Sequence, residues 1–491
     1  MSAGATRATR KRWAALGGAA LAPFVALALP WPPDAGAAPA MAGVTAWMAV
    51  WWLAELAPLA ITSLLPLIVF PALGILDFNA TAASYAKSTI FLFLGGFFLA
   101  LGLERTGAHR RLALSVVRAV GTRPARVVLG MMLASGLLSM AISNTAAALV
   151  LLPVALAVLR GAEEGGLRDP DQAQRFATAL LLGIAYAASI GGMATPIGTP
   201  PNLVLFETVA GLDPPVPLPS FGTWVLVGVP ASLFLMGITW ALLVRFERLS
   251  EVPDVAADAL SADEPAGAMS DERWAIGLFA LAALAWVTGS GVDLGAVSLP
   301  GWRSVPALAD VNDASVALLF ALPLFLLPSR ERPGEPLLDW PHAVRGTPWG
   351  LLLLFGGGFA LAAGFRSSGL SALIVDALAG LDALPVALLT LLVTAAIVAL
   401  TEFTSNTATT SLVLPLLAPV AIGLGISPLT LLLPATLAAS CAFMMPIATP
   451  PNAIVFGSGR LSMRAMARHG LRLNVVALAL VWLFSLLVAP G

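Results

Sequence analysis

AISNTAAALVLLP, residues 141–153, and FTSNTATTSLVLP, residues 403–415, are two versions of one unusual message. Ser143-Asn144-Thr145 returns as Ser405-Asn406-Thr407, and at the same offset Gly96-Phe97 returns as Gly358-Phe359. Downstream, Pro196-Ile-Gly-Thr-Pro-Pro-Asn202 returns as Pro446-Ile-Ala-Thr-Pro-Pro-Asn452, with the offset shortened by 12. The chain is an internal duplication. Each copy sets helix-breaking Pro, Gly and Asn inside strongly apolar sequence, which a membrane tolerates only where the backbone is shielded by protein or lines a cavity. Matching interruptions in two halves point to the binding site of a transporter.

Composition fixes the solvent. The 491 residues are 58% hydrophobic and 11% charged. Apolar runs of roughly 20 residues recur along the chain, the length that crosses a bilayer. This predicts a multi-pass membrane protein without a separate soluble domain. A net charge of -1 gives no case for nucleic acid, and the single Cys441 excludes an intramolecular disulfide or a cysteine metal cluster. His109, His342 and His469 stand alone in apparent loops and are expected to be solvated or interfacial.

Apolar spans are expected near 13–30, 41–56, 58–76, 89–104, 175–195 and 222–245, then near 273–290, 312–328, 349–365, 428–447 and 470–489. The two segments that carry the tripeptides, 125–159 and 384–424, read as re-entrant hairpins because of their polar middles. The fold class is thus all-α, with about 11 transmembrane helices and two hairpins. With the N-terminus cytoplasmic, this layout leaves outside only Lys87, Arg303 and Arg366 of the 26 Lys and Arg, as the positive-inside rule demands. The chain divides into an N-terminal basic segment with a first helix (1–40), a first repeat (41–249), a cytoplasmic linker (250–271) rich in Asp, Glu, Ala and Pro, and a second repeat (272–491). An odd number of spans per repeat inverts the second copy, so the hairpins enter from opposite sides. The basic start followed by an apolar run and AGAAPAMA also fits a cleavable signal peptide, although the run is long for one.

The tripeptides define the chemistry. One Ser-Asn pair alone would read as a helix N-cap, but two copies, each followed by a Thr-Pro-Pro-Asn break, favour ligand binding. Free N–H groups at a broken helix attract an anion, while exposed carbonyls, hydroxyls and the Asn amide suit a small hard cation. Neither motif holds an Arg or Lys, so a bound anion would need bound cations to neutralise it. Glu55 and Glu402 are the intramembrane carboxylates, and both are read as structural; the counterpart of Glu402 in the first copy is Met140. A hydrolase is disfavoured because the motifs lack His, Lys, Asp, Glu and Cys, and a channel has no use for paired dead-end hairpins.

TEFTSNTATTSLVLP (401–415), the two TPPN segments, WWLAELAPLAITSLLP (51–66) and DWPHAVRGTPWGLLLLFGGGFALA (339–362) together resemble the divalent anion:sodium symporter family. The resemblance implies Na+ as coupling ion, a di- or tricarboxylate substrate such as succinate, malate or fumarate, and a homodimer embedded in lipid. It also implies an elevator in which a scaffold holds a mobile transport domain, in a cell membrane that is most simply a bacterial inner membrane. Carried over by position, one sodium site would use Ser139, Ser143, Asn144 and the carbonyl of Gly198. The other would use Thr401, Asn406 and the carbonyls of Thr404 and Ala448. Substrate carboxylates would meet Asn144, Thr145, Thr199, Asn406, Thr407 and Thr449. The first tip continues as Ala146-Ala147-Ala148 where the second has Ala408-Thr409-Thr410, which predicts weaker hydrogen bonding in the first hairpin. A sodium-independent exchanger and a sulfate or citrate carrier are the alternatives within the family.

Overall fold

Two short helices that meet at a polar tip occur twice, and the rest of the chain is arranged around them. The structure, a computed structural model, describes residues 22–28, 30–165, 167–212, 216–217, 219–254, 269–293, 298–377 and 384–488. Most of the expected first helix and most of the linker therefore lie outside the described residues. Among the described residues the only strands are the paired dipeptides Val292–Asp293 and Ser298–Leu299.

The helices used below are α1 (Ala38–Leu53), α2 (Leu65–Ala72), α3 (Ser88–Arg105), α4 (Pro124–Ser139), α5 (Asn144–Glu164), α6 (Pro170–Gly192), α7 (Pro200–Ala210) and α8 (Phe221–Phe246). They continue as α9 (Met269–Gly289), α10 (Asp313–Ala321), α11 (Trp349–Ser367), α12 (Val386–Thr401), α13 (Asn406–Gly423), α14 (Pro428–Ala439), α15 (Pro450–Gly457) and α16 (Met463–Val488). Helix boundaries obey the sequence offsets. α12 begins and ends at the positions that the tripeptide offset assigns to the ends of α4, and α13 begins where the same offset places the start of α5. α15 begins where the shorter offset of the Thr-Pro-Pro-Asn segments places the start of α7.

Local chemistry sets these boundaries. Thr199 and Thr449 are extended, with φ near -142° and -137°, because a residue followed by proline is pushed out of the helical region. The two prolines that follow each threonine occupy the first helical turn, where no N–H is required. Ser143 is also extended, and its Oγ accepts from Ala146 N at 3.2 Å, so the helix-capping reading holds at the first tip. Ser405 makes no such bond.

Among the described residues seven helices are long and apolar enough to cross a membrane, and α3, α6, α8, α11 and α16 are five of them. The other two are α5 and α13, the second arms of the hairpins. Several expected spans come out shorter. The span expected at 428–447 ends at Ala439, because residues 440–449 form a break instead of helix. α6 is the central helix, with 94% of its most apolar window buried, against 22% for α8 and 33% for α16. Those two helices leave most of their apolar surface exposed, as contact with lipid requires. Lipid is as apolar as a leucine core, so contacts between small residues and interhelical hydrogen bonds, more than hydrophobic burial, must join the helices. Ser135 Oγ accordingly donates to Ile184 O at 2.8 Å, holding α4 to α6.

The histidine expectation is corrected at two positions. His109 is buried with Nδ1 3.0 Å from Leu103 O, and His469 is buried with Nε2 2.5 Å from Glu247 Oε1. Glu247 lies 222 residues away in the chain, so sequence reading had no view of that partner.

Candidate functional site

Both hairpin tips and both Thr-Pro-Pro-Asn breaks meet at one cavity of about 640 Å³. Ser143, Asn144 and Thr145 line it from the first tip, and Ser405, Asn406 and Thr407 from the second. Gly198 and Thr199 face it from the break between α6 and α7, and Ala448 and Thr449 from the break between α14 and α15. The far wall is Phe93, Gly96 and Phe97 of α3 with Leu351 of α11. Three expected residues do not reach the cavity: Ser139, Thr401 and Thr404. Ser139 and Thr401 lie fully buried behind the tips.

Behind each tip the same three oxygens converge. Ser139 Oγ is 2.5 Å from Asn144 Oδ1 and 2.7 Å from Ala188 O. Thr401 Oγ1 is 2.7 Å from Asn406 Oδ1 and 2.8 Å from Ala439 O. A hydroxyl has one proton to give, so it cannot satisfy both oxygens in either copy. Each hydroxyl therefore donates to only one of its two oxygens at a time. Two glycines let more oxygens approach in the first copy. A Cβ on Gly192 would stand 2.6 Å from Asn144 Oδ1 and 3.0 Å from Gly198 O, and one on Gly198 would stand 2.5 Å from Gly192 O and 2.9 Å from Thr195 Oγ1.

The Pro-Pro-Asn asparagines tie the breaks in place. Asn202 Nδ2 donates to Thr195 O at 2.8 Å, and Asn452 Nδ2 donates to Met445 O at 3.0 Å and Ala442 O at 3.1 Å. These roles were not visible in the sequence, although the motif that contains them was. α8 adds support from outside. Trp224 Nε1 donates to Met193 O at 3.1 Å and Ser232 Oγ to Ile190 O at 2.5 Å, so the carbonyls freed where α6 stops are satisfied.

Glu402 shows how far the second copy departs from the first. Its buried carboxylate accepts from Phe443 N at 2.8 Å, from Met444 N at 3.0 Å, from Met445 N at 3.0 Å and from Asn474 Nδ2 at 2.6 Å. Three consecutive backbone donors on one carboxylate pin α12 to the second break. The first break is fastened differently, by Thr195 Oγ1 donating to Met140 O at 2.7 Å. The structural reading of Glu402 therefore stands on its contacts. The two tips differ as their sequences predict. Thr409 Oγ1 is 2.7 Å from Thr404 Oγ1 and Thr410 Oγ1 donates to Asn406 O at 2.6 Å, whereas the first tip has only alanine methyl groups at the matching places.

Charge within the cavity is one-sided. Among the described residues Glu55 and Glu104 are the only ionisable side chains that line it, and both are exposed, as are Gly346 and Pro348 in the same lining. Glu55 adopts φ 47°, a backbone conformation rare for a side-chain-bearing residue, at the turn that follows α1. A dianion that enters this cavity meets amides, hydroxyls and carboxylates, so it needs accompanying cations.

Comparison with known proteins places these features in a group. The model of the sodium:sulfate symporter transmembrane region matches residues 10–488. The sodium-dependent dicarboxylate transporters SdcS of Staphylococcus saprophyticus and of Staphylococcus aureus USA300 are each 36% identical, and the match covers 91% of this chain and 85% of each relative. Among solved structures, the YdaH transporter of Alcanivorax borkumensis aligns with a TM-score of 0.56 at 17% identity, over 83% of this chain and 87% of that one. MtrF of Neisseria gonorrhoeae aligns at 0.55 and 15%, over 84% and 83%. At such low identity these two report a shared fold.

Proposed function

Since the chain belongs to the sodium:sulfate symporter family, the divalent anion:sodium symporters that its motifs resemble, we propose that it carries a small dicarboxylate such as succinate, malate or fumarate across the cell membrane together with sodium. The protein is a transporter and not an enzyme. The observation that carries the reading is the repeated pairing of a buried hydroxyl with an Asn amide oxygen, Ser139 with Asn144 and Thr401 with Asn406, behind two tips that share one cavity with Gly198 and Ala448 of the breaks. Hydroxyl, amide and carbonyl oxygens are the hard neutral groups that a small alkali cation takes as ligands.

The mechanism follows from two layers. Sodium enters the deeper layer, at Ser139, Ser143, Asn144 and the Gly198 carbonyl in one copy and at Thr401, Asn406 and the Thr404 and Ala448 carbonyls in the other. The substrate enters the shallower layer, where Asn144, Thr145, Thr199, Asn406, Thr407 and Thr449 offer donors from both tips and both half-helix N-termini. Asn144 and Asn406 belong to both layers, so each links the ion to the anion. Sodium lowers the repulsion from Glu55 and Glu104 and orients the tip amides, and the dianion in turn stabilises sodium, which makes the two ligands cooperative.

In this reading the repeats 41–249 and 272–491 have inverted topology, the N-terminus is cytoplasmic, and the cavity mouth at Glu104, Gly346 and Pro348 faces the cytoplasm, beside Arg105 and Arg345. The state is inward-open. The tips, α6, α7, α14 and α15 form the moving body. α1, α2, α3 and α11 form the scaffold, through which a homodimer would be held in the lipid. Uptake of labelled succinate by reconstituted protein, with sodium, lithium or potassium outside, tests the function. Uptake that requires sodium supports the symporter, while equal uptake in all three cations supports a sodium-independent exchanger.

A further inference from the structure

Two cations sit at the end of the molecule opposite the cavity mouth. Lys87 precedes α3, whose last turn carries Glu104 at the mouth, and the helix between them holds the two roughly 26 Å apart. Arg366 lies in the last turn of α11, about 22 Å along that helix from Leu351 in the cavity wall. Lys87 and Arg366 line a second, smaller cavity of about 130 Å³, and the third charged residue in its lining is Glu207. Glu207 belongs to α7, the half-helix that begins just after Thr199. Its Oε2 accepts from Thr89 Oγ1 at 2.6 Å, and its Oε1 stands 3.7 Å from Lys87 Nζ. Among the described residues Arg366 makes no ion pair, whereas Arg303 is paired with Asp313.

We propose that Lys87 and Arg366 form an outer capture site for the dicarboxylate, and that Glu207 fills it as a tethered carboxylate while the central cavity is open at the other end. The inference rests on the functional reading above and adds a second substrate site to it. Two cations around a small cavity concentrate anions at its entrance, and a guanidinium offers a carboxylate two parallel hydrogen bonds. Glu207 is tied to the mobile half-helix while Lys87, Thr89 and Arg366 belong to the opposing wall. Motion that lifts Thr199 toward this end therefore withdraws Glu207, frees Lys87 and Thr89, and clears the space beside the unpaired Arg366 for the incoming dianion. The existing contact is easily exchanged, since the Lys87 side chain is 47% exposed and its pairing distance is long.

The test measures half-saturating succinate separately from the outer and the cytoplasmic side in oriented proteoliposomes, at low and at high ionic strength. Lys87→Gln and Arg366→Gln should each raise the outer value roughly three- to tenfold and flatten its salt dependence, with the cytoplasmic value held near that of the wild type. Glu207→Gln should lower the outer value. Lys87→Arg and Arg366→Lys keep the charge and should keep the salt dependence, which separates lost charge from damaged folding. Outer and cytoplasmic values that shift together, or an outer value indifferent to all three neutral variants, would overturn the capture site alone. A wild type without sodium-driven succinate uptake would instead remove the functional reading and this inference with it.

Discussion

Thr401 Oγ1 lies 2.7 Å from Asn406 Oδ1, and the pair sits in the same relation as Ser139 and Asn144 one repeat earlier. The buried hydroxyl therefore positions an amide that also borders the cavity. Thr401→Ala and Ser139→Ala should each weaken sodium activation more than they weaken succinate affinity at saturating sodium. An unpaired buried group costs about 1–3 kcal/mol, or roughly five- to hundredfold in the half-activating sodium concentration. Sodium titration of uptake measures it, and an unchanged titration would show that the hydroxyls do not serve the ion.

Asn144→Ala and Asn406→Ala remove an amide proposed to touch ion and substrate together. Each should abolish sodium-driven uptake while the protein still reaches the membrane. Near-normal uptake by either variant would end the shared-ligand assignment.

The backbone should be as sensitive as the side chains. Gly192→Ala places a methyl 2.6 Å from Asn144 Oδ1 and Gly198→Ala places one 2.5 Å from Gly192 O, so both should lose sodium-dependent binding. Gly96→Ala is the comparison: it lines the same cavity, yet its added carbon meets nothing within 4 Å. Sodium-dependent binding retained by Gly192→Ala would mean that those oxygens need not converge.

Glu402 should matter for folding before it matters for transport. Glu402→Ala strands three backbone donors and Asn474, and charge-assisted bonds of this kind are worth about 1.5–3 kcal/mol each. Glu402→Gln keeps an acceptor and should fall between. Thermal unfolding in detergent ranks the three proteins, and an alanine variant that melts with the wild type would show that the second break holds without the carboxylate.

Much of this site is legible in the sequence. Ser143-Asn144-Thr145 and its copy are lined up by a fixed offset, and proline chemistry at Thr199 and Thr449 dictates where the half-helices start. What stayed hidden is long-range or carried by backbone. The Ala188 and Ala439 carbonyls have no side-chain signature, and Asn474 meets Glu402 across 72 residues. The span expected at 428–447 reads as continuous because Ala, Leu and Phe surround the break, and apolar composition does not report where backbone hydrogen bonds leave the helix. Asn202 and Asn452 read as breakers in the sequence, but their role as ties depends on the freed carbonyls beside them, which no side chain marks.

Succinate binding to the purified protein, measured over a range of sodium at constant ionic strength, tests most directly whether ion and dianion share Asn144 and Asn406. Sodium should tighten succinate binding, and succinate should tighten sodium binding by the same factor. Succinate affinity that stays constant across the sodium range would contradict the coupled site.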